Sequence, residues 1–239
     1  MGISAFVCSR TTAFELSQPE KPVLWKANGE IAPMSRSLVL AALFTLLNCA
    51  VFAGELPTTP EQVRPLPVGS HAPTPMLRGA DGRDFDLAAA IAGKPTVLIF
   101  YRGGWCPFCN RHLAALADIE IDLRTLGFQL FGITPDEPAQ LNPTAKENRV
   151  RYRLLSDRGM QAAGAYGVAF RLTQQSGEDY RKNGIVLPPA PDGLGFWQPV
   201  PAAFIIARDG TIRFVYSNPD PENSIEAKKL LAAAREAAK

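Results

Sequence analysis

The chain has 239 residues, 46% of them apolar and 20% charged, with a formal charge of +2. Such a composition excludes a disordered or fibrous protein. Its lysines and arginines form no basic stripe that would track a phosphate backbone, and no acidic run suggests a metal store, so neither nucleic acid, nor a metal, nor any other cofactor is expected.

The one long apolar stretch, residues 38–53, follows Met34-Ser35-Arg36-Ser37 and precedes Gly54-Glu55-Leu56-Pro57. A basic flank, a Leu/Ala-rich centre too short for a comfortable membrane span, and the ending Val51-Phe52-Ala53 give the pattern of a secretory signal peptide cleaved after Ala53. Residues 1–33 carry no targeting pattern, whereas Met34 opens a complete leader. The reading is therefore a non-native extension (1–33), a signal peptide (34–53) and an exported, periplasmic product that meets a membrane only if the leader stays attached. Cleavage would remove Cys8 and Cys49 and leave Cys106 and Cys109 as the remaining thiols.

Residues 54–67 are proline-rich and predict an extended arm leading into a single domain over 68–239. An Asp81-Gly82 turn separates two short extended pieces, with Phe85 and Leu87 as apolar anchors. Residues 96–100, Thr-Val-Leu-Ile-Phe, alternate no polar positions, which predicts a strand covered on both faces. Leu113, Leu116, Ile119, Leu123 and Leu126 then recur at helical spacing until Gly127 stops the pattern. A second apolar strand (128–133), a polar helix from Thr134 to about Arg149, a short strand at Leu154-Leu155 and a short helix (160–166) follow.

Residues 171–198 show no period and predict a long loop or insertion. Strands at 203–207 and 211–216 about the turn Arg208-Asp209-Gly210 predict a hairpin, and Asn223 with Glu226 predicts a capping box opening the last helix. Strand and helix in alternation predict an α/β domain, a central mixed sheet with helices on both faces.

Between the first strand and its helix stands Phe100-Tyr101-Arg102-Gly103-Gly104-Trp105-Cys106-Pro107-Phe108-Cys109. A strand that delivers two thiols to a helix start places them where unpaired N–H groups and the helix dipole favour a thiolate, the form that attacks disulfides and peroxides. Pro107 suits the first helical turn, where its missing N–H costs no bond. Arg102 is close enough in sequence to favour the thiolate, and Trp105 is read as surface around it or as packing. A purely structural bridge is a weak reason for this pair, because closing so short a loop restricts the unfolded chain little.

This phrase and a second one, Pro199-Val200-Pro201-Ala202-Ala203-Phe204-Ile205-Ile206-Ala207-Arg208-Asp209-Gly210-Thr211-Ile212-Arg213-Phe214, resemble those of the peroxiredoxin-like family in the alkyl hydroperoxide reductase and thiol-specific antioxidant superfamily, over residues 66–238. The resemblance implies a thioredoxin-like fold, and it makes Pro201 the family's cis-proline, set against the cysteine pair. Peroxiredoxins proper carry a proline, a threonine four positions on, and the peroxidatic cysteine three further. Arg102, Cys106 and Cys109 stand at those positions here. Laid instead on thioredoxin, Cys106 becomes the exposed attacking thiolate and Cys109 the buried resolving thiol.

The expected function is that of an exported thiol-dependent oxidoreductase, acting by thiol–disulfide exchange or by hydroperoxide reduction. Its partners would be a protein or small-molecule thiol, disulfide or hydroperoxide and a reductant the sequence does not identify. Two alternatives stand beside it: zinc or copper held by Cys106, Cys109 and His112, and a redox-inert binding module.

Overall fold

The computed structural model describes residues 56–191 and 193–239, and the leader reading of 34–53, with residues 1–33 before it, lies outside them. In chain order the elements are β1 (Met76–Arg78), β2 (Asp84–Asp86), α1 (Leu87–Ile91), β3 (Thr96–Phe100), α2 (Pro107–Thr125), β4 (Gln129–Thr134), α3 (Pro138–Glu147) and β5 (Arg153–Ser156). Then come α4 (Gln161–Ala165), β6 (Ala169–Leu172), α5 (Gln174–Lys182), β7 (Phe196–Pro199), β8 (Ala202–Ile206), β9 (Ile212–Ser217) and α6 (Ala227–Ala237).

Seven strands form one sheet in the order β2-β1-β5-β4-β3-β8-β9, with β6 and β7 paired apart from it. The centre is mixed: β3, β4 and β5 run parallel, and β8 returns antiparallel along β3, pairing Phe100 with Ala202. The unbroken apolar character of β3 has a direct cause. Val97 and Ile99 pack with Leu113 and Leu116 of α2 and Leu230 of α6, whereas Leu98 and Phe100 pack on the opposite face with Tyr166 and Phe204. Both faces are covered, so a polar residue in this strand would lose its water with no partner.

Helix α2 stops as its sequence requires. Gly127 takes φ +86°, and the N–H groups of Gly127 and Phe128 donate back to Arg124 and Leu123, closing the helix with a paired C-terminal turn. The Asp81-Gly82 hairpin, β3 to β5 and the β8–β9 hairpin lie where hydrophobic period and turn residues put them.

Three expectations need correction, and one helix was not anticipated. Residues 171–198 are not a long loop: they hold the end of β6, helix α5 and β7, with Arg171 paired to Trp197. Helix α1 had no period to announce it and is set by Asp86, whose carboxylate accepts the Ala89 N–H at 3.0 Å. The polar helix after β4 begins only at Pro138, after a turn over 134–137. The Asn223/Glu226 capping box does not form. Asn223 ends a short 3₁₀ turn and donates to Asp220, and Glu226 caps α6 without a side-chain bond, its carboxylate instead meeting Lys229 at 2.7 Å. Residues 56–67 lie along the domain, with Val63 in its core and the Leu66 N–H donating to the Tyr166 carbonyl.

Helix α4 is held by the buried Asp157, whose two carboxylate oxygens accept the Ala162 and Ala163 N–H groups at 3.1 and 2.8 Å. Burial outweighs these donors and pushes its carboxyl up to about 6 from 3.8. A raised acid means that the folded state holds the proton more tightly, so the stability linked to this group is present below about pH 4 and lost as pH rises through about 6. We therefore expect Asp157→Asn, whatever constant offset its lost acceptor introduces, to gain on wild type by on the order of 2 kcal/mol between about pH 4 and pH 7. Thermal melts across that range check this, and a pH-independent difference would refute it.

Candidate active site

Pro107 opens α2, and Cys106 is the residue before the first turn. The first N–H groups of any helix lack intrahelical acceptors, and here the Cys106 sulfur takes the Cys109 N–H at 3.4 Å. Three further contributions act on the same sulfur: the Cys109 thiol as donor, the Arg102 charge and the Phe108 N–H. Led by the Cys109 thiol and opposed by burial, they bring Cys106 down from 9.0 to about 6. Cys109 moves the other way, held protonated by its bond to Cys106, by burial and by the neighbouring charge. The pair therefore carries one proton, on Cys109.

Cys106 is 1% exposed and Cys109 2%, so the expectation of an exposed attacking thiol is corrected. The residues around them lie half-buried. Arg102 stacks its guanidinium 4.9 Å over Trp105, whose ring meets Tyr180 of α5 edge-on at 5.3 Å. Arg102 Nη2 donates to the Tyr180 hydroxyl and Nε donates to Gln198 Oε1 of β7 at 3.1 Å. The insertion read from sequence as a loop thus supplies two of the groups that hold the arginine.

The turn between β3 and α2 is pinned from outside itself. The Gly104 N–H donates to Asp136 at 2.7 Å, and the Asn110 side chain donates to the Gly104 carbonyl at 2.7 Å. A side chain at Gly104 would run into Thr144 of α3, and one at Gly103 into the Trp105 ring and Asp136. Both glycines are therefore required by close approach. Burial raises Asp136 above the usual carboxylate range despite its Gly104 bond.

Pro201, Arg111, Trp197 and His112 are placed as follows. Pro201 is buried directly before β8, one residue from the Ala202 that pairs with Phe100, and so beside the strand end that leads into the cysteines. Arg111 stacks over Phe108, 4.7 Å from the ring, on an exposed helix face. Trp197 stands beside Gln198 on β7. It packs in the core over Gly164, and its neighbour Gln198 is the residue that reaches Arg102. His112 bonds the Ile225 carbonyl and is pushed down to about 4 by burial. Among the described residues no three His, Cys, Asp or Glu side chains converge as a metal set, so the zinc or copper alternative has no ligand cluster to rest on.

Sequence reasoning missed Tyr180, Gln198, Asp136 and Asn110. Tyr180 alone had a local signal: Thr173 capping Ser176, then Arg181-Lys182-Asn183-Gly184 as a helix stop.

A thiolate at the first turn of a helix, on the end of a central strand of a mixed sheet, defines a thioredoxin-fold dithiol site. The AhpC/TSA family model matches residues 68–215, and the chain belongs to that family as a thiol-dependent, peroxiredoxin-like oxidoreductase. It is 26% identical over 226 residues to the chloroplastic peroxiredoxin Q of Gentiana triflora, a match covering 91% of this chain and 92% of that protein. Against the rice protein of the same name (Oryza sativa subsp. japonica) it is 27% identical over 165 residues, 68% of this chain and 65% of that one. The peroxidoxin BcpB structure from Mycobacterium tuberculosis shares the fold at a TM-score of 0.57 and 23% identity, over 71% of this chain and 96% of that one.

The Cys106 assignment has a direct test. In Cys109→Ser, whose hydroxyl still donates to the sulfur, we expect the thiolate absorbance near 240 nm to titrate well below the ordinary cysteine range, and adding Arg102→Gln to move it upward. Titration in the ordinary range would remove the thiolate from this site.

Proposed function

We propose that this protein reduces hydroperoxides, with Cys106 as the attacking thiolate and Cys109 as the resolving thiol. The observation that carries this is the burial of a thiolate. Cysteines 1% and 2% exposed, in a core cluster that Trp105 and Phe108 pack against, admit a hydroperoxide far more readily than the disulfide of a folded protein. In the cycle, the Cys106 sulfur attacks the terminal peroxide oxygen, the O–O bond breaks, and the departing oxygen takes a proton and leaves as alcohol or water. Cys109 then attacks the sulfenic acid, expels water and closes the Cys106–Cys109 disulfide. An external dithiol returns two electrons and two protons.

Acidity alone does little of this. A thiol at about 6 instead of 9.0 is roughly ninety-fold more ionised at pH 7, but intrinsic nucleophilicity falls with pKa, which leaves a net gain on the order of fourfold. Any larger acceleration must come from stabilising the departing oxygen. Arg102 is the cation in place for it. Its Nε and Nη2 are engaged, and Nη1 has no partner among the described residues.

A second reading is favoured by the family register, which puts Cys109 at the peroxidatic position, and by Arg102, whose backbone N–H and charge both favour the Cys109 thiolate. Stopped-flow oxidation by hydrogen peroxide, followed by tryptophan fluorescence, separates the two. We expect Cys109→Ala to keep fast oxidation and Cys106→Ala to lose it. The reverse pattern assigns the attack to Cys109, and rates no faster than a free thiol in wild type would overturn the peroxidase reading.

We further propose that the protein acts after export. The leader reading supports this, since cleavage after Ala53 leaves a chain whose two thiols are the reactive pair. The mass of the product recovered from an expressing cell tests it, Gly54 being the expected first residue.

A further inference from the structure

We infer that Tyr180 and Gln198 are positioning residues for peroxide reduction: together they clamp the Arg102 guanidinium so that its remaining N–H edge faces the peroxide oxygen that departs when the Cys106 sulfur attacks. The inference rests on the peroxidase reading above.

Its basis is geometric. An arginine over a ring is free to rotate in the ring plane, but two bonds of different type remove that freedom. Nη2 donates to the Tyr180 hydroxyl on α5, and Nε donates to Gln198 Oε1 on β7 at 3.1 Å, while Trp105 supports the guanidinium plane from 4.9 Å. A planar fork fixed at two nitrogens has a fixed third. The anchors are themselves rigid. Gln198 is 2% exposed and pairs in register with Phe170, and α5 rests on β7 where Gly177 leaves room for the Phe196 ring. Tyr180 lies three residues after Gly177 and therefore on the same helix face.

A second observation points to an occupant. With Oε1 turned to Arg102, the Gln198 Nε2 is buried and has no acceptor among the described residues. A buried amide donor without a partner costs free energy, and here it sits on the same carbon as the oxygen that reads Arg102. A hydroperoxide held beside Arg102 supplies an acceptor of the kind this amide lacks. The groups around the Cys106 sulfur are Arg102 from the turn before it, Cys109 and the Phe108 N–H from α2. Tyr180 and Trp105 lie around the arginine, and the Asp136 carboxylate is engaged by Gly104.

The test separates orientation from acidity by using two reagents. Iodoacetamide reports the thiolate without an oxygen to be held, and hydrogen peroxide needs the donors. At about pH 8, well above the Cys106 value of about 6, the thiolate fraction is saturated. In Tyr180→Phe, which deletes one hydroxyl, and in Gln198→Leu, we expect the peroxide rate to fall by about tenfold or more while alkylation stays within about threefold of wild type. Arg102→Lys, which keeps the charge and loses the fork, is expected to behave like them. Equal losses with both reagents would overturn the clamp in favour of a role in thiolate acidity or folding alone. Peroxide rates unchanged in all three variants, with wild type fast, would overturn it and leave the peroxidase reading standing. A wild type no faster with peroxide than a free thiol would overturn both.

Discussion

The first turn of α2 has N–H groups that no helical carbonyl can accept, and the chain answers them with sulfur. A Cys106 side chain at the cap position turns an obligatory feature of helix ends into the source of a thiolate, because the donors that need an acceptor are the ones that favour its charged form. Placing the cap correctly then constrains much of what surrounds it. The β3 strand must end at Phe100, the turn must pass through two glycines too crowded for any side chain, and Asp136 and Asn110 must hold the backbone of that turn from β4's exit and from α2 itself. Pro107 contributes by being unable to donate, so the bonding at the helix start falls to the residues after it.

A buried charge has to be compensated, and the fold does this with an arginine that is itself compensated. Left alone, Arg102 beside a half-buried tryptophan would be a mobile cation, and a mobile cation screens poorly and orients nothing. The chain between β6 and β7 supplies the missing order. Helix α5 is polar along nearly all its length, with Gly177 as its one buried residue, so apolar burial of its own does little to hold it. Its Thr173 cap, its glycine stop and the Gly177–Phe196 approach keep it folded for what it presents, which is Tyr180. A segment with weak intrinsic reasons to be a helix, held against Arg102 and Trp105, is placed by the site as much as by the core.

This explains what could be read from the residues and what could not. β3, α2 and the β8–β9 hairpin were legible because each buries a continuous apolar face, and burial leaves a period in the sequence. The cysteines were legible because a strand and a helix start bracket them within ten residues. Helix α5 left no period, since nothing in Gln-Gln-Ser-Gly-Glu-Asp-Tyr-Arg-Lys repeats on an apolar face, and only its end signals remained. Gln198 and Asp136 are separated from the residues they hold by 96 and 32 positions, and no local spacing encodes such a contact. Cys106 was misread as exposed for a related reason. The core that buries it is gathered from β3, α2, α3 and β8, and no local spacing encodes that convergence.

The coupling of the two sulfurs sets an order of events. Two thiolates this close repel, so as long as Cys106 carries the charge, Cys109 stays protonated and serves as a donor rather than a second nucleophile. In the cycle proposed above, attack on a hydroperoxide would convert the Cys106 sulfur to a neutral sulfenic acid and remove the charge that held the Cys109 proton in place. The like-charge term opposing ionisation of Cys109 then vanishes, while the Arg102 charge and its backbone N–H, both of which favour the Cys109 thiolate, remain. Burial still opposes the Cys109 thiolate, but less stands against its ionisation once the first thiol has been consumed. One arginine can serve both steps because the negative charge it faces passes from one sulfur to the other, and a fixed guanidinium within reach of both needs no rearrangement between attack and resolution.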